Sequence, residues 1–210
     1  MKSIHTVRRP IRTTIAVLAV AAVPAGAIAV PALAGSTGNA SMTTASTTTA
    51  SATTAVVAKC PTDWGSLPEV GRFHGAGVLA NVRAGRHACF DRVVFDVKGK
   101  PSWLRAHYVK NVVTPGEGRI VPLRGGAKLE VILTVPSYDD AGRATYKPAN
   151  RTELVNVSGY RTLRQLATAG SFEGETTIGI GVRARLPFRV FTIAGPGATS
   201  RIVLDVAHAW

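Results

Sequence analysis

The chain has 210 residues, with 25 Lys plus Arg against 12 Asp plus Glu, a formal net charge of +13, 6% aromatic residues and two cysteines. That length admits one domain or two small ones and excludes a large multidomain enzyme. A hydrophobic content of 46% beside 18% charged residues is high for a soluble chain, so the placement of the apolar residues matters.

Residues 1–34 open with Lys2, Arg8, Arg9 and Arg12, continue through an apolar run from Ile15 to Val30, and close on Ala32-Leu33-Ala34 before Gly35. This basic, apolar, small-residue order is the layout of a secretory signal. Pro24 and Gly26 interrupt the run, which suits a cleavable leader better than a permanent span. Pro10 follows Arg8-Arg9 at once, so ordinary secretion is expected over a twin-arginine route. Residues 35–58 have neither charge nor aromatic residue and are rich in Thr, Ser and Ala, the composition of a disordered tether. Four basic residues lie in the leader and no acidic residue lies in leader or tether, so residues 59–210 carry 21 basic and 12 acidic residues, a net of +9. An exported basic domain favours anionic partners such as wall polymers, peptidoglycan stem carboxylates or lipid head groups. Contact with a membrane is expected only through an uncleaved leader.

After Cys60 the sequence turns to short, alternating apolar runs punctuated by Gly and Pro. Val93, Phe95 and Val97 alternate with Arg92, Val94 and Asp96, and Leu129, Val131, Leu133 and Val135 alternate with Lys128, Glu130, Ile132 and Thr134. Period two marks half-buried strands. Further strands are expected at 78–83, 103–113, 119–123, 153–157, 162–172, 176–182, 188–193 and 201–206. Residues 160–169 also have the leucine spacing of one short helix. About ten strands with frequent turn signals predict an all-β domain, an antiparallel β-sandwich or flattened barrel, over residues 59–210.

An even cysteine count in an exported chain reads first as a disulfide, Cys60–Cys89. The competing chemistry is a catalytic thiol at Cys89 with His87 or His74 as base. On a strand, His87 and Cys89 would share a face. Gly75-Ala76-Gly77 mimics a dinucleotide turn without its flanking strand and helix, and reads as a loop entering a strand. His107 and His208 lack ligand-spaced partners and read as structural histidines; no metal and no cofactor is expected. Glu173 and Glu175 flank Gly174 and read as a polar turn rather than an acid/base pair.

Arg183, Arg185 and Arg189 gather beside the strand Ile178-Gly179-Ile180-Gly181-Val182. If that strand continues, Arg183 and Arg185 point to one side, where two guanidiniums can grip a carboxylate or phosphate. The competing arrangement pairs these arginines with Asp91, Asp96 or Asp205 across the sheet. Gly179 and Gly181 leave one face bare for a ligand or for another backbone. Sparse aromatics and export argue against nucleic acid as a partner.

Five stretches carry a resemblance: Cys60-Pro61-Thr62-Asp63-Trp64-Gly65-Ser66-Leu67-Pro68, Gly85-Arg86-His87-Ala88-Cys89-Phe90-Asp91-Arg92-Val93-Val94-Phe95, Phe172-Glu173-Gly174-Glu175-Thr176-Thr177-Ile178-Gly179-Ile180-Gly181-Val182-Arg183, Pro187-Phe188-Arg189-Val190-Phe191, and Arg201-Ile202-Val203-Leu204-Asp205-Val206-Ala207-His208. Together they resemble the AMIN-like domain of secreted actinobacterial proteins, over about residues 60–210. The resemblance implies a distant relation to AMIN domains, β-sandwich modules that place cell-wall amidases and secretion components on peptidoglycan. No amidase or secretin segment follows the motifs in this chain. The expectation is a secreted, non-catalytic module that binds peptidoglycan or another anionic wall component. An extracellular enzyme acting on wall material and a protein-interaction module that recruits partners by strand addition are the alternatives.

Overall fold

A computed structural model describes Cys60 and residues 63–210. The leader and tether expected at 1–34 and 35–58 lie outside the described residues. Eleven strands follow in order: β1 (Glu69–Arg72), β2 (Gly77–Arg86), β3 (Phe90–Gly99), β4 (Trp103–Val109), β5 (Val112–Val113), β6 (Ile120–Val121), β7 (Ala127–Leu133), β8 (Leu163–Phe172), β9 (Glu175–Val182), β10 (Phe188–Ala194) and β11 (Thr199–Ala207). All pairings are antiparallel, and no helix occurs among the described residues.

The strands form a five-stranded sheet in the order β1-β4-β7-β9-β8, a four-stranded sheet β10-β11-β3-β2 and a two-stranded ribbon β5-β6. Alternation assigns the faces. Val93, Phe95 and Val97 from β3, Ile202, Leu204 and Val206 from β11, Leu129, Val131 and Leu133 from β7, and Ile178, Ile180 and Val182 from β9 fill one continuous core between the two larger sheets. Each fully buried Leu, Ile or Phe contributes about 1.5–3 kcal/mol by leaving water. The result is the all-β sandwich that the sequence pattern predicts.

Residues 160–169 form no helix: 163–169 belong to strand β8, and 160–162 lead into it. The register of β8 against β9 slips between Leu163 and Gln165, so Arg164 is an extra residue and Leu163 and Leu166 both reach the core. A bulge thus reproduces the three-residue leucine spacing that a helix would show. Residues 153–157 do not form a strand. They run beside the edge strand β8, tied by the Leu154 N–H to the Leu166 carbonyl and by Gln165, which donates to the Thr152 carbonyl. The stretch 103–113 breaks at Lys110-Asn111 into β4 and β5, and β1 is a short edge strand with little alternation to announce it.

The bare face of β9 is filled by the chain itself. Val112, Val121 and Leu123 of the β4–β7 connection pack over Ala167, Ala169 and Gly179. A Cβ at Gly179 would come within 2.7 Å of the Leu123 side chain, and one at Gly181 would run into the Arg124 carbonyl. Of the two readings of this face, approach by another part of the chain is the one realised, by side chains at Gly179 and by the Arg124 backbone at Gly181.

Candidate functional site

Cys60 and Cys89 are bonded to each other, with Cα atoms 5.3 Å apart, so Cys89 offers no thiolate for catalysis. His87 lies in the β2–β3 turn and not on a strand, stacked on Phe90 at 4.5 Å between ring centroids. The thiol–imidazole arrangement therefore does not form. Glu173 and Gly174 are the two-residue connection of the β8–β9 hairpin, with φ of 50° and 83°. A turn with both central residues at positive φ matches the strand twist, and it accounts for Glu173 and Glu175 as a polar turn. His208 is held at both ring nitrogens, by the Ala88 carbonyl at 3.2 Å and by buried Asp91 at 3.1 Å. Asp91 also accepts the backbone N–H groups of Thr162 and Leu163.

The three candidate arginines do not converge. β9 ends at Val182, so Arg183 and Arg185 stand on a bend rather than on one strand face. Arg183 donates to the His208 carbonyl at 2.6 Å. Arg189, on the outer face of β10, pairs with the fully buried Asp205 at 2.9 Å and lies 4.2 Å from the centroid of the Trp64 ring. Arg92 grips the same carboxylate from β3 at 2.6 Å and 2.9 Å. Arg92 and Arg189 sit opposite Asp205 in the register of β3-β11-β10, so the internal-acid arrangement holds for Arg189.

Arg185 has a different setting. Its guanidinium donates to Ser66 Oγ at 3.1 Å and to the Ser66 carbonyl at 2.8 Å, and it stacks over the Tyr108 ring. It lines an open groove of about 490 Å³ together with Lys110, Lys128, Tyr108, Gly125 and Gly126. Lys110 follows β4, and Lys128 faces Val109 across the β4–β7 pair, so strand pairing brings the two lysines to one place. Lys128 donates to the Asn111 amide oxygen at 2.9 Å. No carboxylate lines the groove. Exposed Trp210 donates its indole N–H to the Arg185 carbonyl. Burial raises the pKa of the Tyr108 phenol, and its O–H donates to the Leu186 carbonyl and accepts the Leu186 N–H, which fixes the groove wall. Sequence reasoning found Arg185 and missed Lys110 and Lys128, because only the β4–β7 register joins them to it.

The rest of the charge explains why this groove matters. Asp91, Asp96, Glu117, Glu130, Asp139, Glu153 and Asp205 each hold a cationic or imidazole partner. Lys110, Lys128 and Arg185 belong to no ion pair among the described residues. The basic excess is thus displayed and not cancelled. Among the described residues no group of three His, Cys, Asp or Glu side chains lies together as a metal cradle.

No curated protein matches the chain. The family model of the AMIN-like domain matches residues 77–208, well over half of the sequence, with the two larger sheets except β1 inside the matched span, and the chain belongs to this family of cell-wall-related modules.

Proposed function

We propose that this protein is an exported, non-catalytic cell-envelope module that binds an anionic wall component, with peptidoglycan stem carboxylates as the leading ligand. The groove of Lys110, Lys128 and Arg185 is the binding surface. One observation carries the reading: three cations line a single groove from which carboxylates are absent. Such an arrangement attracts polyanions and raises their encounter rate, and its grip is salt-dependent. The leader-like residues 1–34 support export. The disulfide at Cys89 and the carboxylates already committed to ion pairs support a binding role over a catalytic one.

Sedimentation of the full chain with intact sacculi across a salt series tests this. Retention at low salt that weakens as salt rises is expected, with about a tenfold loss of affinity in the Lys110→Glu/Lys128→Glu variant. Sacculi with amidated stem carboxylates should retain less protein. Absence of retention at low salt overturns the proposal.

A further inference from the structure

A second cleft, which shares no residue with the groove, lies near the hairpin end of β8 and β9. It has a volume of about 620 Å³, within the range of small-ligand sites, and its polar lining includes Tyr138, Tyr146, Lys147, Arg151, Thr168 and Ser171. Its parts are fixed in place. Ser171 Oγ accepts the Ser137 N–H at 3.0 Å and donates to the Glu175 carbonyl, which joins the floor to the first wall. That wall, the loop after β7, is closed by the Tyr138–Ala144 bridge and by Asp139, which accepts the N–H groups of Ala141 and Arg143 and pairs with the Arg143 guanidinium at 2.8 Å. The opposite wall is tied to β8 by the Thr168 N–H, which donates to the Arg151 carbonyl at 2.9 Å.

The chemistry of the lining is specific. No carboxylate lines the cleft; of the acids beside it, Asp139 is held by Arg143, while Asp140, Glu173 and Glu175 lie outside the lining and belong to no ion pair among the described residues. Lys147 and Arg151 are exposed and belong to no ion pair among the described residues. The Tyr138 oxygen accepts the Gly174 N–H at 3.2 Å, which leaves the phenol proton to donate elsewhere. Tyr146 supplies a second half-buried ring with a phenol tip. Phenol rings offer flat apolar surface with a polar end, hydroxyls and phenols hydrogen-bond alcohols, and a Lys–Arg pair grips an anion. A peptide side chain would want a deeper apolar recess, and a bare phosphate would leave the rings unused.

We infer that this cleft binds a carboxylated saccharide of one or two rings, with sugar faces against Tyr138 and Tyr146 and the carboxylate between Lys147 and Arg151. The test is an amide chemical-shift titration of the isotope-labelled full chain with cellobiouronic acid, with cellobiose as the uncharged match and glutamyl-glutamate as the acidic peptide. Saturable shifts at Ser137, Tyr138, Tyr146 and Ser171 are expected with cellobiouronic acid. Cellobiose should bind about tenfold more weakly, the ratio of one charge-assisted contact. Lys147→Gln/Arg151→Gln, two exposed positions that leave the core intact, should reduce cellobiouronic acid to the cellobiose level, while Lys110→Glu/Lys128→Glu leaves it unchanged. Absent shifts, equal binding of the two disaccharides, tighter binding of the dipeptide, or shifts confined to the Lys110–Lys128 groove would each overturn the inference. Because the sacculus experiment reads the groove variant, the two proposals fail separately.

Discussion

Asp205 shows how one residue can be legible as a type and illegible as a role. Its carboxylate is fully buried between Arg92 and Arg189, on the sheet face that otherwise meets solvent. Removing one partner of such a cluster strands the others in a poorly solvated place. Asp205→Ala should lower unfolding stability by about 3 kcal/mol, measured by urea denaturation, whereas loss of the more exposed Arg189 should cost about 1 kcal/mol. His107 makes a pH-dependent prediction. Burial, with the neighbouring Arg105 as the lesser cause, holds its imidazole below the ordinary value of 6.5. Glu130 on β7 lies 3.5 Å away, and burial raises its pKa. The unfolded chain takes up the histidine proton at a higher pH than the folded one, so this contribution is present above pH 6.5 and is lost as the pH falls below it. Thermal midpoints between about pH 7.5 and 5.5 should therefore fall more steeply for the natural chain than for His107→Gln. The three arginines were visible in the sequence as a cluster. Their separation into a carbonyl cap, a groove wall and an ion pair depends on β9 stopping at Val182, which no alternation pattern announces.

β3, β7, β9 and β11 stand where the sequence places them, because alternate apolar residues of each face the core between the two larger sheets, although β9 and β11 are covered on the other face as well. The failures are of one kind. β8 contains an extra residue that shifts the phase of its leucines, 153–157 has the apolar content of a strand but serves as a cover for an edge, and β1 is too short to display a period. In each case pairing partners far along the chain decide the outcome. Gly181 gives the corresponding experiment. A Cβ there would press into the Arg124 backbone of the β4–β7 connection. Gly181→Ala should destabilise by about 2 kcal/mol through overpacking, read from the shift in the urea midpoint with an unchanged slope. The connection would also be displaced, and with it the Gly125–Gly126 floor of the cationic groove.

At the scale of the molecule, the sandwich holds a basic surface whose acids are largely committed internally, and the two clefts draw on what remains. Class, strand content and net charge were readable from composition and period. The clefts were not, because their lining comes from loops and strand ends separated by tens of residues. The disulfide encloses β1 and β2 in a loop with a separation of 29 residues. Cys60→Ser/Cys89→Ser should lower stability by about 3 kcal/mol on the loop-entropy account, measured by denaturant unfolding against the oxidised chain. The bond has a mechanical meaning as well. A pull on the chain ahead of Cys60 passes through sulfur to the turn that starts β3, a strand paired on both sides, and bypasses the short edge strand β1. That short edge strand is thereby kept off the line of force, and the module can be tugged from its amino-terminal side without being peeled open from its edge.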